Sequence, residues 1–496
     1  MNLSDIINIE SLRKVLLYDP RQPLLFNTGL FLLLFVGFLC VYRLLRTRPT
    51  LKKVFVILFS VYFYYKSSAE CCFILLGVCV SDYLLGLWMG SECRTAVKRM
   101  IVALNVVINV GMLVYFKYFN LLLSTLASVA GTRFDALDII LPAGISFFTF
   151  RSISYIVDIY RGQLTPARSL LDYTFFLTFF PPLLAGPVVR ARDMLPQVAE
   201  SPEATPQMVG EGLFLIMAGL VKKVIIADYI SGNFVDRIFD NPSLYSGFEN
   251  LMGCLGFTLQ LYCDFSGYSD MAIGIALLLG YRFKANFDAP FKSQNPTEFW
   301  RRWHISLSSW LRDYIYIPLG GNRHGRSRQR INLMATMLIG GLWHGASWMY
   351  LLWGAYHGAL LVLHKAATKV WRLPEMLRDT APVRAANVAV TFVLVVIGFT
   401  FFRASGPEAL GDMARQIFTD FRPGVAAQFA EAYLMIVAAL AAGYFLHFTP
   451  RTWTTGAVRV YAEMPLVAQA VLLSVVLFLV IQTRQSDLVP FIYLQY

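Results

Sequence analysis

Charge is scarce in this 496-residue sequence: Asp, Glu, Lys and Arg make up 15% of it, against about 25% in soluble domains. Beside 57% hydrophobic residues, that shortage excludes an ordinary water-soluble globule. Histidine is scarcer still, with six in all. Seven cysteines lie in or beside apolar runs with no CxxC and no Cys/His ligand spacing, so no metal and no redox centre is expected. Low-complexity tracts and short-period repeats are missing too. The polar stretch Glu200 to Gln207 is too short to part soluble domains, so a single membrane domain over 1–496 is expected. Positive charge is not lacking, and the formal net charge is +12. It sits in loops between apolar runs, which implies lipid headgroups as the partner and no nucleic acid.

What is abundant is long apolar sequence. A transmembrane helix needs roughly 20 mostly apolar residues, and such runs recur from Leu24–Tyr42 to Leu466–Ile481, among them Thr174–Val189, Leu213–Ile230 and Leu251–Leu279. None alternates like a strand, so the expectation is an all-α polytopic membrane protein of about 10–13 transmembrane or re-entrant helices around a central funnel. The first run leads into Arg43, Arg46, Arg48, Lys52 and Lys53 rather than a small-residue cleavage site, which reads as a retained helix. The same cluster places residues 43–53 in the cytoplasm, with Arg94, Lys98 and Arg99 at the next cytoplasmic turn.

Polar side chains within apolar runs are costly, so their clustering is informative. They concentrate between residues 141 and 365. In QLYCDFSGYSDM, residues 260–271, helical spacing puts Gln260, Asp264 and Tyr268 on one stripe and turns Asp270 to another face. These carboxylates are either interhelical glue or part of a polar cavity. The next cluster, EFWRRWHISLSSWLRDYIY over 298–316, carries Trp300, Arg301, Arg302, Trp303, His304 and Asp313 in one stretch. An amphipathic interfacial or re-entrant helix explains its tryptophans and arginines. His304 either belongs to that surface or turns inward toward a cavity.

The third cluster is GGLWHGASW, residues 340–348. Basic sequence flanks it on both sides, at Arg323–Arg330 and Lys365–Arg372, so both ends are expected in the cytoplasm and the segment must turn back. The run Ile331 to Trp343 covers only about 20 Å of a roughly 30 Å hydrocarbon core, which puts His344 at a hairpin tip deep in the membrane, beside Trp343. A single long tilted helix is the alternative. A histidine so desolvated is expected neutral, the state a general base needs for acyl transfer to a hydroxyl; a packed, hydrogen-bonded core histidine is the plainer reading. His357 and His364 share one helical face and read as core or edge residues.

At these residues the sequence resembles the membrane-bound O-acyltransferase family, and within it the bacterial alginate O-acetyltransferase branch. The likeness rests on LPAGISFFTF, FFPPLLAGPVVR, LYCDFSGYSDMAIG, FWRRWHISLSSWLRDYIYIPLGGNR and GLWHGASW, in family order across residues 141–357. It implies that His344 is the catalytic histidine and His304 the second characteristic one; Asp264, Tyr268, Asp270, Trp300, Arg301, Arg302, Trp303, Asp313 and Trp343 are expected to shape the cavity. It further implies a cytoplasmic acyl thioester donor such as acetyl-CoA, with no tightly bound cofactor. The implied acceptor is a cell-envelope polysaccharide, with an extracytoplasmic SGNH-type acetyltransferase as partner and the bacterial inner membrane as the location. The ending PFIYLQY is similar to the FIYF-like ending of some family members, in which a tyrosine relays the acyl group; Tyr493 takes that position, in a short extracytoplasmic tail at about 484–496. Leu494 and Tyr496 depart from the usual phenylalanines, and an interfacial aromatic anchor is the other reading. The remaining alternatives are a D-alanyl transferase acting on teichoic acid and a non-catalytic transporter of acyl donor or glycan; no paired broken helices of inverted repeats favour the transporter.

Overall fold

Lipid offers no hydrogen bonds to a bare backbone, so apolar runs of this length must satisfy their own N–H and C=O groups. They do so as α-helices. The structure, a computed structural model, describes residues 15–370, 380–483 and 491–492, and no strand occurs among the described residues. Helical stretches Pro49–Ser91, Thr95–Ala130, Ala381–Arg403 and Leu466–Thr483 are long and apolar enough to cross a membrane, with a fifth if the bent pair Val425–Ala432 and Leu434–Phe448 is one span. Other apolar runs form shorter or more polar helices. The chain is an all-α polytopic membrane protein that divides into two compact units, Met1–Thr205 with Ile275–Phe283, and Pro206–Gly274 with Lys284–Tyr496.

In the first unit α1 is Gly29–Leu44, α2 Pro49–Ser68, α3 Cys72–Ser91, α4 Thr95–Leu113, α5 Ile145–Tyr160 and α6 Leu170–Thr178. The 20-residue helices α2 and α3 are each about 30 Å long, and the chain breaks between them at Ala69, whose φ is +46°. Polar glue joins α3 to its neighbours. Asp82 accepts hydrogen bonds from Asn105 Nδ2 at 2.8 Å and from the Tyr173 hydroxyl at 2.7 Å. The run Thr174–Val189, expected as a membrane pass, is not one helix. Helix α6 stops at Thr178, because Pro181, Pro182 and Pro187 donate no backbone hydrogen bond, and residues 179–190 run irregularly and fully buried. Such backbone is tolerated because protein, not lipid, surrounds it.

In the second unit α7 is Pro206–Leu220 and continues in wide π-type turns over Val221–Asp228. It packs on α8, Gly247–Leu278, which belongs to this unit through Gly274. Two glycines set that approach: a Cβ on Gly219 would lie 2.5 Å from the Gly267 carbonyl oxygen. Helices α9, Pro296–Arg302, and α10, Ile305–Leu311, follow. Then α11, Gly325–His344, and α12, Trp348–Val370, form the expected hairpin with His344 at its tip. Helix α11 starts six residues before Ile331 and takes in Arg326, Arg328 and Arg330, so it measures about 30 Å. Helices α13, Ala381–Arg403, α14, Leu434–Phe448, and α15, Leu466–Thr483, are the long apolar helices of the rest of the unit, with shorter helices between them.

Candidate active site

The α8 stripe expected from helical spacing is one face. Gln260 Nε2 donates to Ser231 Oγ at 2.8 Å, Asp264 is ion-paired with Lys223, and Tyr268 meets the Phe491 ring edge-on at 4.0 Å. Lys223 also reaches Asp228 at 2.8 Å, and its neighbour Lys222 pairs with Asp270 at 2.6 Å. Both acidic residues of the sequence motif therefore have a lysine from the π-type turns of α7. Such turns recur at functional sites because the added residue re-aims side chains. The lysines escaped sequence reading because they sit inside an apolar run some 40 residues from their partners.

His304 does turn inward. The stretch 298–316 is not one helix: α9 ends at Arg302, and His304, at φ +42° and ψ 56°, forms a left-handed corner before α10. Left-handed backbone is uncommon outside glycine, though histidine tolerates it better than bulkier residues. The corner buries the imidazole completely, edge-on to Phe265 at 4.6 Å and 5.9 Å from the Trp343 ring. Asn286 holds it. The Asn286 Nδ2 donates to Ser269 Oγ at 3.1 Å, while Oδ1 accepts from Ser306 Oγ at 2.8 Å and Ser306 N at 3.2 Å. That orients the amide so that Oδ1 faces His304 Nδ1 at 3.2 Å, which makes Nδ1 the protonated nitrogen and leaves the lone pair on Nε2. Sequence reasoning missed Asn286, an isolated loop residue in no helical pattern.

His344 is the last residue of α11 and is 4% exposed. Aromatic rings wall it: Trp343 at 5.0 Å, Trp353 at 4.8 Å and Phe402 at 5.2 Å, each nearly perpendicular to the imidazole. Trp343 touches both histidines, so the two imidazoles share one aromatic wall. The end of a helix also concentrates carbonyl oxygens, whose partial negative charge suits a group that gains positive charge when it takes a proton.

Around Trp353 the wall is polar as well as aromatic. Trp300, Trp353 and His357 lie ring to ring at 4.8–5.7 Å. The buried Trp300 Nε1 and Trp353 Nε1 find no hydrogen-bond partner among the described residues, while His357 Nε2 is packed against Gly398 of α13. Unpartnered buried donors are expensive, and native proteins keep them where a ligand or water completes them. His357, read from sequence as core, is buried, with the Trp353 ring touching both it and His344. Trp303 is packing: it is 1% exposed between Phe287 and Phe399.

The remaining candidates stand apart. Arg301 is exposed, Arg302 is held by Glu298 at 2.8 Å, and Asp313 pairs with adjacent Arg312 at 2.8 Å. Tyr493 lies outside the described residues, but Phe491 and Ile492 just before it are buried, with the Ile492 N–H donating to Asp264 Oδ2 at 3.0 Å.

Similarity to known proteins points the same way. Residues 167–405 match the membrane-bound O-acyltransferase family, MBOAT. The chain is 41% identical to the probable alginate O-acetylase AlgI of Pseudomonas aeruginosa over 80% of its own length and 75% of that protein's. It is 37% identical to the peptidoglycan O-acetyltransferase of Helicobacter pylori, covering 78% of each. To the teichoic acid D-alanyltransferase of Bacillus subtilis it is 28% identical, over 52% of this chain and 68% of that one. With the sequence motifs folded around two buried histidines and these relatives aligned over most of its length, the chain belongs to the membrane-bound O-acyltransferase family and is an acyltransferase.

Proposed function

We propose that this protein moves an acetyl group from a cytoplasmic thioester, acetyl-CoA, to a cell-envelope polysaccharide, and that it works in the bacterial inner membrane with His344 as general base. The observation that carries this is the placement of His344 at a helix end, walled by aromatic rings and next to buried N–H groups that need an acceptor. An alcohol is a poor nucleophile until its proton leaves. The imidazole takes that proton as the hydroxyl oxygen attacks the thioester carbonyl; the C–S bond breaks, and the proton passes to the departing thiolate. The Trp353 and Trp300 indole N–H groups are suited to the carbonyl oxygen as negative charge builds there. His304, its tautomer set by Asn286, sits across Trp343 from the base. The hydroxyl is Tyr493 or an acceptor reached from the outer face through a funnel between helices; a separate SGNH-type transferase then completes delivery to the glycan.

The alternative of D-alanyl transfer to teichoic acid draws less support, because that relative aligns over about half of this chain and the acetylating ones over about four-fifths. Mass spectrometry of envelope polysaccharides from cells with and without the protein tests the reading. Loss of ester-linked acetyl groups is expected, and unchanged acetylation with loss of D-alanyl esters would overturn it.

A further inference from the structure

Two oxygens of one buried carboxylate have different partners. Asp264, 2% exposed on α8, gives Oδ1 to the Lys223 ammonium and Oδ2 to the backbone N–H of Ile492, 228 residues further along the chain. Lys223 is fully buried, bridges Asp264 to Asp228, and holds its ammonium 4.6 Å over the Phe491 ring. That ring also meets Tyr268 in a T-shaped contact, centroids 4.0 Å apart. Phe491 and Ile492 are 1% and 6% exposed.

A cluster serving only to join α7 to α8 would close on itself. Here one ammonium faces two carboxylates, and the excess acceptor capacity is turned toward a backbone N–H of a third segment. Buried charge of that kind is costly unless each oxygen is satisfied, so the cluster and the segment complete each other.

We infer that Lys223, Asp228, Asp264 and Tyr268 form a built seat for an aromatic–aliphatic stretch of chain, filled by Phe491–Ile492, that anchors the chain directly before the proposed relay residue Tyr493. The seat reads an aromatic ring by cation–π and edge contacts and the following residue by its N–H. It therefore accepts Phe, Tyr or Trp in the first place and rejects proline in the second. Lys223 is thus a positioning residue. The seat stands on geometry alone, and its purpose rests on the proposed relay through Tyr493.

The test is amide hydrogen exchange at residues 491–492 of the full chain in nanodiscs, read with acetyl transfer from acetyl-CoA. Removing the ammonium that pairs with Asp264 and lies over the Phe491 ring is expected to raise exchange roughly tenfold to a hundredfold in Lys223→Met, with Lys223→Arg retaining more protection. Phe491→Ala, which alters only the seated segment, is expected to do the same without unfolding the helices. A chain ending at Val489 is expected to regain transfer when the peptide Pro-Phe-Ile-Tyr-Leu-Gln-Tyr is added, but not when Ile is replaced by Pro. Exchange unchanged from wild type in both Lys223→Met and Phe491→Ala would overturn the seat. Faster exchange with full transfer activity would uphold the seat and overturn the relay through Tyr493.

Discussion

Substituting alanine for Gly354 or for Gly340 separates hairpin geometry from helix propensity. Both glycines lie inside helices, so each change favours the helix by about 1 kcal/mol. Their surroundings differ. A Cβ on Gly354 would stand 2.5 Å from the Met337 carbonyl oxygen and 3.2 Å from the Leu338 Cα, both backbone atoms of α11, whereas one on Gly340 would meet only the Leu311 Cδ1 at 3.1 Å. Ordinary contact begins at 3.4 Å, so Gly354→Ala forces α11 and α12 apart by about 1 Å, at a cost of about 1–3 kcal/mol. Trp353, adjoining Gly354, is 4.8 Å from the His344 ring, and the same displacement moves the wall away from the base. A misplacement of about 1 Å costs on the order of a hundredfold in rate. In nanodiscs, with folding checked by thermal unfolding, Gly354→Ala is expected to lose about two orders of magnitude in turnover, and Gly340→Ala less than about threefold. Equal activity in the two folded variants would refute the coupling of hairpin spacing to catalysis.

Other outcomes follow from single contacts. Asn286→Ala removes the acceptor of His304 Nδ1 and of Ser306 and is expected to slow transfer about tenfold or more while destabilising the fold by about 1–3 kcal/mol, measured as turnover against thermal unfolding. Trp353→Phe keeps an aromatic ring, smaller than the indole, and deletes the N–H; a loss of about a hundredfold or more in turnover is expected if that donor meets the carbonyl oxygen, and near-wild-type turnover would remove it from the mechanism. Lys222→Gln weakens a mostly buried pair, 28% and 24% exposed, and is expected to cost less than loss of the fully buried Lys223. Lys223→Met leaves buried carboxylates uncompensated and is expected to cost about 3–5 kcal/mol in the same unfolding assay.

Local pattern carried much of this architecture. Basic flanks and glycines foretold the α11–α12 hairpin and put His344 at its tip, and helical spacing foretold the shared face of Gln260, Asp264 and Tyr268. What escaped is non-local or irregular. Lys222 and Lys223 sit in an apolar run, and nothing in their own neighbourhood shows that Asp270 and Asp264 lie across from them. Hydropathy alone extended α6 through Phe179–Val189, where three prolines forbid a regular helix. The continuous polar pattern of 298–316 hides a corner at His304 because left-handed backbone at a non-glycine residue is imposed by tertiary packing, here by the Asn286 network. Asn286, Trp353 and His357 carry no sequence signal that distinguishes them from packed neighbours.

The decisive experiment is acetyl release from acetyl-CoA by purified protein in a single turnover, comparing wild type with His344→Ala and His344→Gln. With folding intact by thermal unfolding, a fall of about a hundredfold to ten-thousandfold is expected in both variants, the range that general-base catalysis supplies. Wild-type rates in a folded His344→Ala protein would contradict the assignment of the base to the hairpin tip.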